Sequence, residues 1–202
     1  MKKCLIGLLF LAACSGPTHL SEKELGQYVL DPSNGLIQKK EASGLEIQVY
    51  YKPTGLLVAQ ELDNQKDSIA YRDLYEKYGQ YAYFILDLSS NDKNALYQSG
   101  SYDRFSENLQ TLAFRMDQYT NLTTSALDTI PVADFIYPRM YGMSSSATVM
   151  FVFSNEKLFT SDWVSFNLSE FGMGSGNQQF RFDVSDLKAA PKLSMEQVGG
   201  KP

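Results

Sequence analysis

Strict alternation of apolar and polar side chains governs what this chain can become. Leu45, Ile47, Val49 and Tyr51 alternate with Glu46, Gln48, Tyr50 and Lys52, a two-residue period that buries one face of a strand and wets the other. Near the C-terminal end Phe180, Phe182 and Val184 are interleaved with Gln179, Arg181 and Asp183 in the same way. Residues 81–88 (Tyr-Ala-Tyr-Phe-Ile-Leu-Asp-Leu) form a dense apolar run of strand length, suited to a central strand covered on both faces. Residues 132–140, 147–153 and 163–171 are also strand-like. Proline, asparagine and glycine in Asp31-Pro32-Ser33-Asn34-Gly35, and Ala42-Ser43-Gly44 after them, supply chain reversals.

Two segments change period. Within residues 66–78, Tyr71, Leu74, Tyr75 and Tyr78 recur at helical spacing and Gly79 follows as a stop. Phe105, Leu109, Leu112, Met116 and Tyr119 are separated alternately by four and three residues, the clearest helix in the chain. Residues 56–62 suit either a short helix or a strand. These patterns predict an α+β domain over residues 27–202, built on a mainly antiparallel β-sheet, curled or as a sandwich, with about two helices packed on one side. A purely β sandwich is the runner-up. With 44% apolar and 20% charged residues among 202, a chain of this size buries a core without metal or disulfide staples.

The N-terminal end carries a different kind of signal. Met1-Lys2-Lys3 is a short positive end, and residues 5–13 run Leu-Ile-Gly-Leu-Leu-Phe-Leu-Ala-Ala without one charge. The run is too short to span a bilayer, which needs about 20 apolar residues, and has the layout of a secretory signal. Leu11-Ala12-Ala13-Cys14 at its end resembles the lipobox of bacterial lipoproteins. That resemblance implies cleavage after residue 13 and lipidation of Cys14 with a diacylglyceryl group and an amide-linked acyl chain such as palmitate, an anchorage that is effectively permanent. It also implies a mature domain with no free thiol and no disulfide, because Cys4 leaves with the leader. Ser15 is similar to the residue that sends such proteins to the outer membrane, and the lack of an acidic run just past Cys14 favours the periplasmic face. Residues 14–26 then read as the lipidated cysteine and a tether of about 12 residues, small, polar and proline-broken at its start, reaching roughly 40 Å at full extension.

Charge and side-chain inventory exclude several chemistries. Removing residues 1–13, which hold two lysines and no acid, takes the net charge from −5 to −7, a balance that disfavours nucleic acid and leaves no polybasic lipid patch. The one histidine, His19, falls in the expected tether, so Ser-His-Asp, Cys-His and histidine-rich zinc arrangements are not expected in the domain. Ser144-Ser145-Ser146 lacks both the Gly-x-Ser-x-Gly turn and an activating base, and reads as a polar loop. Gly172-Met173-Gly174-Ser175-Gly176 resembles a phosphate cradle only superficially, without the Lys-Ser/Thr of a P-loop, and reads as a hairpin connection. Asn177, Gln178 and Gln179 beyond it are candidates to line a ligand site or simply to face solvent. Asp87 to Asn94 has oxygen side chains at alternating positions, as in a calcium loop, but puts Asp92 where glycine belongs and Gln98 where a bidentate glutamate belongs. Asn121-Leu122-Thr123 and Asn167-Leu168-Ser169 match the glycosylation sequon, which means little in a bacterial envelope protein.

No catalytic residue, metal ligand or cofactor is therefore assigned. Cys14 is the one site residue named, and no ligand-binding residue is. The expected role is a non-catalytic binding or accessory one at the cell envelope, with an envelope protein or a glycan as partner. The alternatives are a glycan or small-ligand module using the abundant tyrosines, and, last, an envelope hydrolase acting through two carboxylates.

Overall fold

Alternating segments fold as strands and periodic segments as helices in a computed structural model that describes residues 18–62, 67–91, 93–98, 100–138 and 144–194. The elements run β1 (His19–Leu20), α1 (Glu22–Leu30), β2 (Ile37–Ala42), β3 (Leu45–Lys52), α2 (Thr54–Leu62), α3 (Ser68–Tyr78), β4 (Tyr81–Ser90) and β5 (Lys93–Asn94). After these come α4 (Tyr102–Phe114), β6 (Thr120–Thr124), β7 (Thr129–Ile136), β8 (Ala147–Ser154), β9 (Trp163–Leu168), β10 (Gln178–Asp183), α5 (Val184–Ala189) and β11 (Lys192–Leu193). Ser43 and Gly44, at φ 52° and 77°, form the two-residue loop between β2 and β3, the turn geometry that follows the twist of a hairpin. In β3 the predicted alternation is literal, with Leu45, Ile47, Val49 and Tyr51 buried.

One antiparallel sheet has the order β10-β9-β6-β7-β8-β4-β3-β2, with β5 added beside β4. It curls until distant strands touch. Three strands separate β4 from β9 in that order, yet the Phe84 ring lies 6.0 Å from Phe166 on β9 and 5.3 Å from Phe182 on β10. Phe151, Phe153 and Phe180 complete the buried aromatic interior, and each side chain of this size contributes about 1.5–3 kcal/mol by leaving water. A bulge between Val132 and Asp134 adds a residue to β7, so that Val132 and Phe135 both register with the inward-facing Phe153 and Phe151. The two free edges, β2 and β10, meet at a seam. Lys40 closes it: its Nζ donates to the Gln179 carbonyl at 2.6 Å and lies 5.2 Å from the Phe180 ring centre.

The α+β class and mainly antiparallel sheet are as expected, but the described residues hold five α-helices rather than about two. Helix α3 was legible, and it starts where Asp67 accepts bonds from Ile69 N and Ala70 N. The ambiguous segment 56–62 is helix α2. Helix α4 buries Asn108, Thr111 and Leu112 but stops at Phe114, after which a 3₁₀ turn (Met116–Gln118) leads directly into β6. The tether expectation needs correction. His19–Leu20 pair in parallel with Lys192–Leu193 as a second, two-stranded sheet. Residues 22–30 form α1, closed by a Ser21/Glu24 capping box and held down by the fully buried Leu25. Residues 18–26 therefore belong to the folded body, and His19 stands exposed on it rather than on a free arm.

A second small core joins these pieces. Val58, Ala59 and Leu62 of α2 pack with Leu193 of β11 against Tyr71, Leu74, Tyr75 and Tyr78 of α3. Tyr71 Oη donates to the Leu193 carbonyl at 2.8 Å, and Leu193 N donates to Tyr75 Oη at 3.1 Å. Gly55 admits this clasp, since a Cβ there would stand 2.7 Å from Tyr75 Oη and 3.2 Å from Leu193 N. Gly55→Ala is expected to cost about 1–3 kcal/mol by overpacking, and amide exchange is expected to show the loss concentrated at β11 and β1.

Candidate functional site

Because the inner face of the curled sheet is filled by hydrocarbon, the chemistry of strands β2, β3, β4 and β8 is displayed on the outer face, where register sets three transverse rows. Glu41, Glu46 and Ser89 form one row, and Lys39, Gln48, Asp87 and Thr148 the next. Ile37, Tyr50, Ile85, Met150 and Ile136 form the third. The two polar rows apart from Thr148, with Ser145 and Ser146 from the loop before β8, line a cavity of about 650 Å³. Lys40, also at its edge, is turned to the seam. Glu46 and Asp87 are diagonal neighbours across β3 and β4, a spacing of about 7–8 Å between Cα atoms. Glu41 and Glu46 stand directly opposite each other, a like-charge pair that works against the hairpin.

Asp87 is a carboxylate in an altered environment. It is half-buried in the middle of the sheet, with its Oδ1 accepting from Ser146 Oγ at 3.3 Å and from Thr148 Oγ1. Burial raises its carboxyl above the ordinary value of 3.8, and the two hydroxyl bonds offset this only in part. Next to it Tyr50 is pushed up by its own burial first and by the Asp87 charge second. A half-buried carboxylate beside two hydroxyls, an amide and a lysine can accept and donate hydrogen bonds to a polar ligand.

The glycine-rich segment has a different occupant. Residues 169–177 connect β9 to β10 as the expected hairpin, and Gly172, Gly174 and Gly176 all adopt positive φ. Their N–H groups converge on the chain's own Glu170: Gly172 N and Gly174 N donate to Oε1 at 2.7 and 2.9 Å, and Gly176 N donates to Oε2. Ser175 Oγ adds a bond to Oε2 at 3.2 Å. The cradle is filled from within. What burial Glu170 has would raise its carboxyl, but the bonds from Gly174, Gly172, Gly176 and Ser175 outweigh that and hold it below 4.5. Asn177 and Gln178 serve the same loop, through Glu170 N to Asn177 Oδ1 at 3.0 Å and Gln178 Nε2 to the Ser175 carbonyl at 2.6 Å.

The remaining sequence candidates disperse or are redefined. Ser144-Ser145-Ser146 is the polar loop expected, and only its meeting with Asp87 was not foreseen. The calcium-loop candidate is not a loop over its first half. Asp87 to Ser90 lie in β4, Ser89 bonds Glu46, Ser90 bonds the Gly44 carbonyl, and Asn94 bonds the Ser146 carbonyl. Among the described residues no three His, Cys, Asp or Glu side chains are grouped to hold a metal. The sequon residues Asn121 and Asn167 bond each other across β6 and β9 at 2.8 Å. Tyr97, in a 3₁₀ turn (Ala95–Gln98) before α4, and Tyr102, at the start of α4, are exposed, with the Tyr97 ring centre 5.5 Å from that of Phe105. Cys14 lies outside the described residues. Sequence reasoning missed the Asp87 site because its members are 39 to 148 in the numbering and only strand register brings them together.

No family model matches the chain, and no curated protein does. Among solved structures it is similar to a protein of unknown function from Burkholderia pseudomallei K96243, at 12% identity and TM-score 0.42 over 85% of this chain and 93% of that one. It is also similar to a DUF4426 family protein from Pseudomonas aeruginosa PAO1, at 10% identity and TM-score 0.35 over 73% and 92%.

The two carboxylates respond to pH in opposite senses. Glu170, held below its ordinary value, contributes stability that is present above pH 4.5 and is lost as pH falls. Glu170→Gln should cost about 1 kcal/mol at neutral pH, a modest value because the group is exposed, and the difference from wild type should shrink on acidification in thermal melts. Asp87, raised above 3.8, contributes stability that is full below that pH and is lost as pH rises through its raised value. Asp87→Asn, which keeps the acceptor for Ser146 and Thr148, should therefore stabilise the protein at pH 7 by about 1 kcal/mol and lose this advantage towards pH 3.

Proposed function

We propose that this protein is a lipid-anchored component of a bacterial cell envelope, held through Cys14 on the outer membrane with its domain facing the periplasm, and that it acts by binding rather than by catalysis. The observation that carries the anchor is the charge-free run of residues 5–13 ending in Leu11-Ala12-Ala13-Cys14. No described helix is long and apolar enough to cross a membrane, which leaves the anchor to Cys14 in this reading.

The cavity over Asp87 supports the binding role. Its lining offers carboxylates, an amide, hydroxyls and Lys39 in transverse rows whose members stand one strand spacing apart, and burial raises the Asp87 carboxyl there, as is common for groups kept for a ligand. A polar segment of an envelope protein is the first occupant. A glycan is the second reading, favoured by the mixture of donors and acceptors along the rows, which suits a ligand with many hydroxyls.

Cells fed labelled palmitate are expected to label the wild-type protein and to retain it in the membrane fraction, while Cys14→Ser loses both label and retention. An unlabelled, soluble wild-type protein overturns the anchor. A photoreactive residue in place of Gln48 should give one reproducible cross-linked product in intact cells, and no product at all overturns binding at the cavity.

A further inference from the structure

The link between the anchor and the fold is short. Thr18 already accepts a hydrogen bond from Lys192 N at 3.0 Å, and Leu20 accepts one from Ser194 N at 2.7 Å. Only residues 15–17 therefore separate Cys14 from chain that is pinned to β11. Four Cα steps span at most ~14 Å whatever their conformation, about a third of the reach that a tether running to residue 26 would have. A lipid on Cys14 holds the β1/β11 end of the domain at the headgroups.

What this end carries suits that position. His19 and Lys192 are registered neighbours and both are exposed. Lys192 and Lys188 border a cavity of about 250 Å³ walled by Tyr51, Tyr75, Tyr81 and Phe159, and no acidic residue lines it. Neither lysine forms an ion pair among the described residues. Of the cavity's rings Tyr81 is exposed; an exposed tyrosine ring settles at the level of lipid headgroups, and lysine ammonium groups there bind their phosphates. A mature chain of net charge −7 has no general attraction to an anionic bilayer, so an attraction of this kind has to be local.

We propose that the β1/β11 end is a membrane-contact surface, with Lys188 and Lys192 on anionic phospholipid headgroups and the aromatic cavity beside them turned to the headgroup layer. This rests on lipidation of Cys14. Strand β3 gives the yardstick: Tyr51 lines the cavity, whereas Glu46, five residues before it, and its partner Glu41 lie about 17 Å further along.

With Cys14 modified and Cys4 removed, a cysteine introduced into the mature lipidated protein is the single labelling site. His19→Cys and Glu41→Cys, each carrying a fluorophore, are reconstituted into vesicles of phosphatidylcholine and phosphatidylglycerol that hold a headgroup-linked quencher. The His19 probe should be quenched several-fold more strongly than the Glu41 probe. Adding Lys188→Glu and Lys192→Glu should reduce that excess in these vesicles and leave it unchanged in pure phosphatidylcholine, with the milder Lys188→Gln and Lys192→Gln pair shifting it the same way. Equal quenching at the two positions in protein that floats with the vesicles overturns the proposed surface while the anchor stands. An excess indifferent to both lysine pairs overturns the headgroup contact. Protein that fails to float with the vesicles shows instead that the anchor reading itself is wrong, and removes this proposal with it.

Discussion

The cross-sheet contact of Phe84 with Phe166 and Phe182 is the constraint on which the other features depend. These rings leave water only if β4 comes within van der Waals reach of β9 and β10, and a flat sheet in the observed order keeps them strands apart. Burial therefore curls the sheet, and the curl brings the β2 and β10 edges together. No backbone ladder joins those edges in the strand order. Lys40 spans the seam with one bond and one ring contact, and an inward-pointing charge on an edge strand also discourages pairing with another chain.

Curling also determines where polar chemistry can reside. Each strand assigns one set of alternate residues to the hydrocarbon interior, so its other set faces outward and is sorted by register into rows. Asp87 and Glu170 show how differently that surface treats the same functional group. Glu170 receives three backbone N–H bonds and a hydroxyl, and its charge is stabilised. Asp87 receives two hydroxyls in a drier place, and its charge is not fully compensated. An anion cradle already filled by the chain has little left to offer a ligand, whereas an under-compensated carboxylate in a cavity does.

Much of the fold was legible because local pattern and burial agree. The β3 alternation, the Ser43-Gly44 reversal, the central β4 run and the α3 stripe each contain their own evidence. Elements with little apolar content were not legible. Helix α1 buries only Leu25 and Val29, and its one clear signal is the Ser21-x-x-Glu24 capping box. Strand β6 reads Thr-Asn-Leu-Thr-Thr and is hidden by a helical spacing that continues through Met116 and Tyr119. The polar start of the chain looks like a tether by composition, but it is recruited by backbone bonds to β11, a pairing across the whole length of the sequence. The Asp87 rows needed register across four strands, which no single segment encodes.

Recruitment of the N-terminal residues also joins the two ends of the proposed function. Strand β3 begins in the polar rows, with Glu46 and Gln48 on the cavity over Asp87, and ends at Tyr51 in the aromatic cavity beside β11. An anchor that holds the β11 end at the bilayer lifts the Asp87 cavity away from it, since Gln48 and Glu46 stand about 10 and 17 Å along β3 from Tyr51. A long flexible tether would allow the domain to present any face to any neighbour, at a cost in orientational entropy on each encounter. A link of three residues limits that freedom, so that partners approaching from the compartment meet the polar rows first.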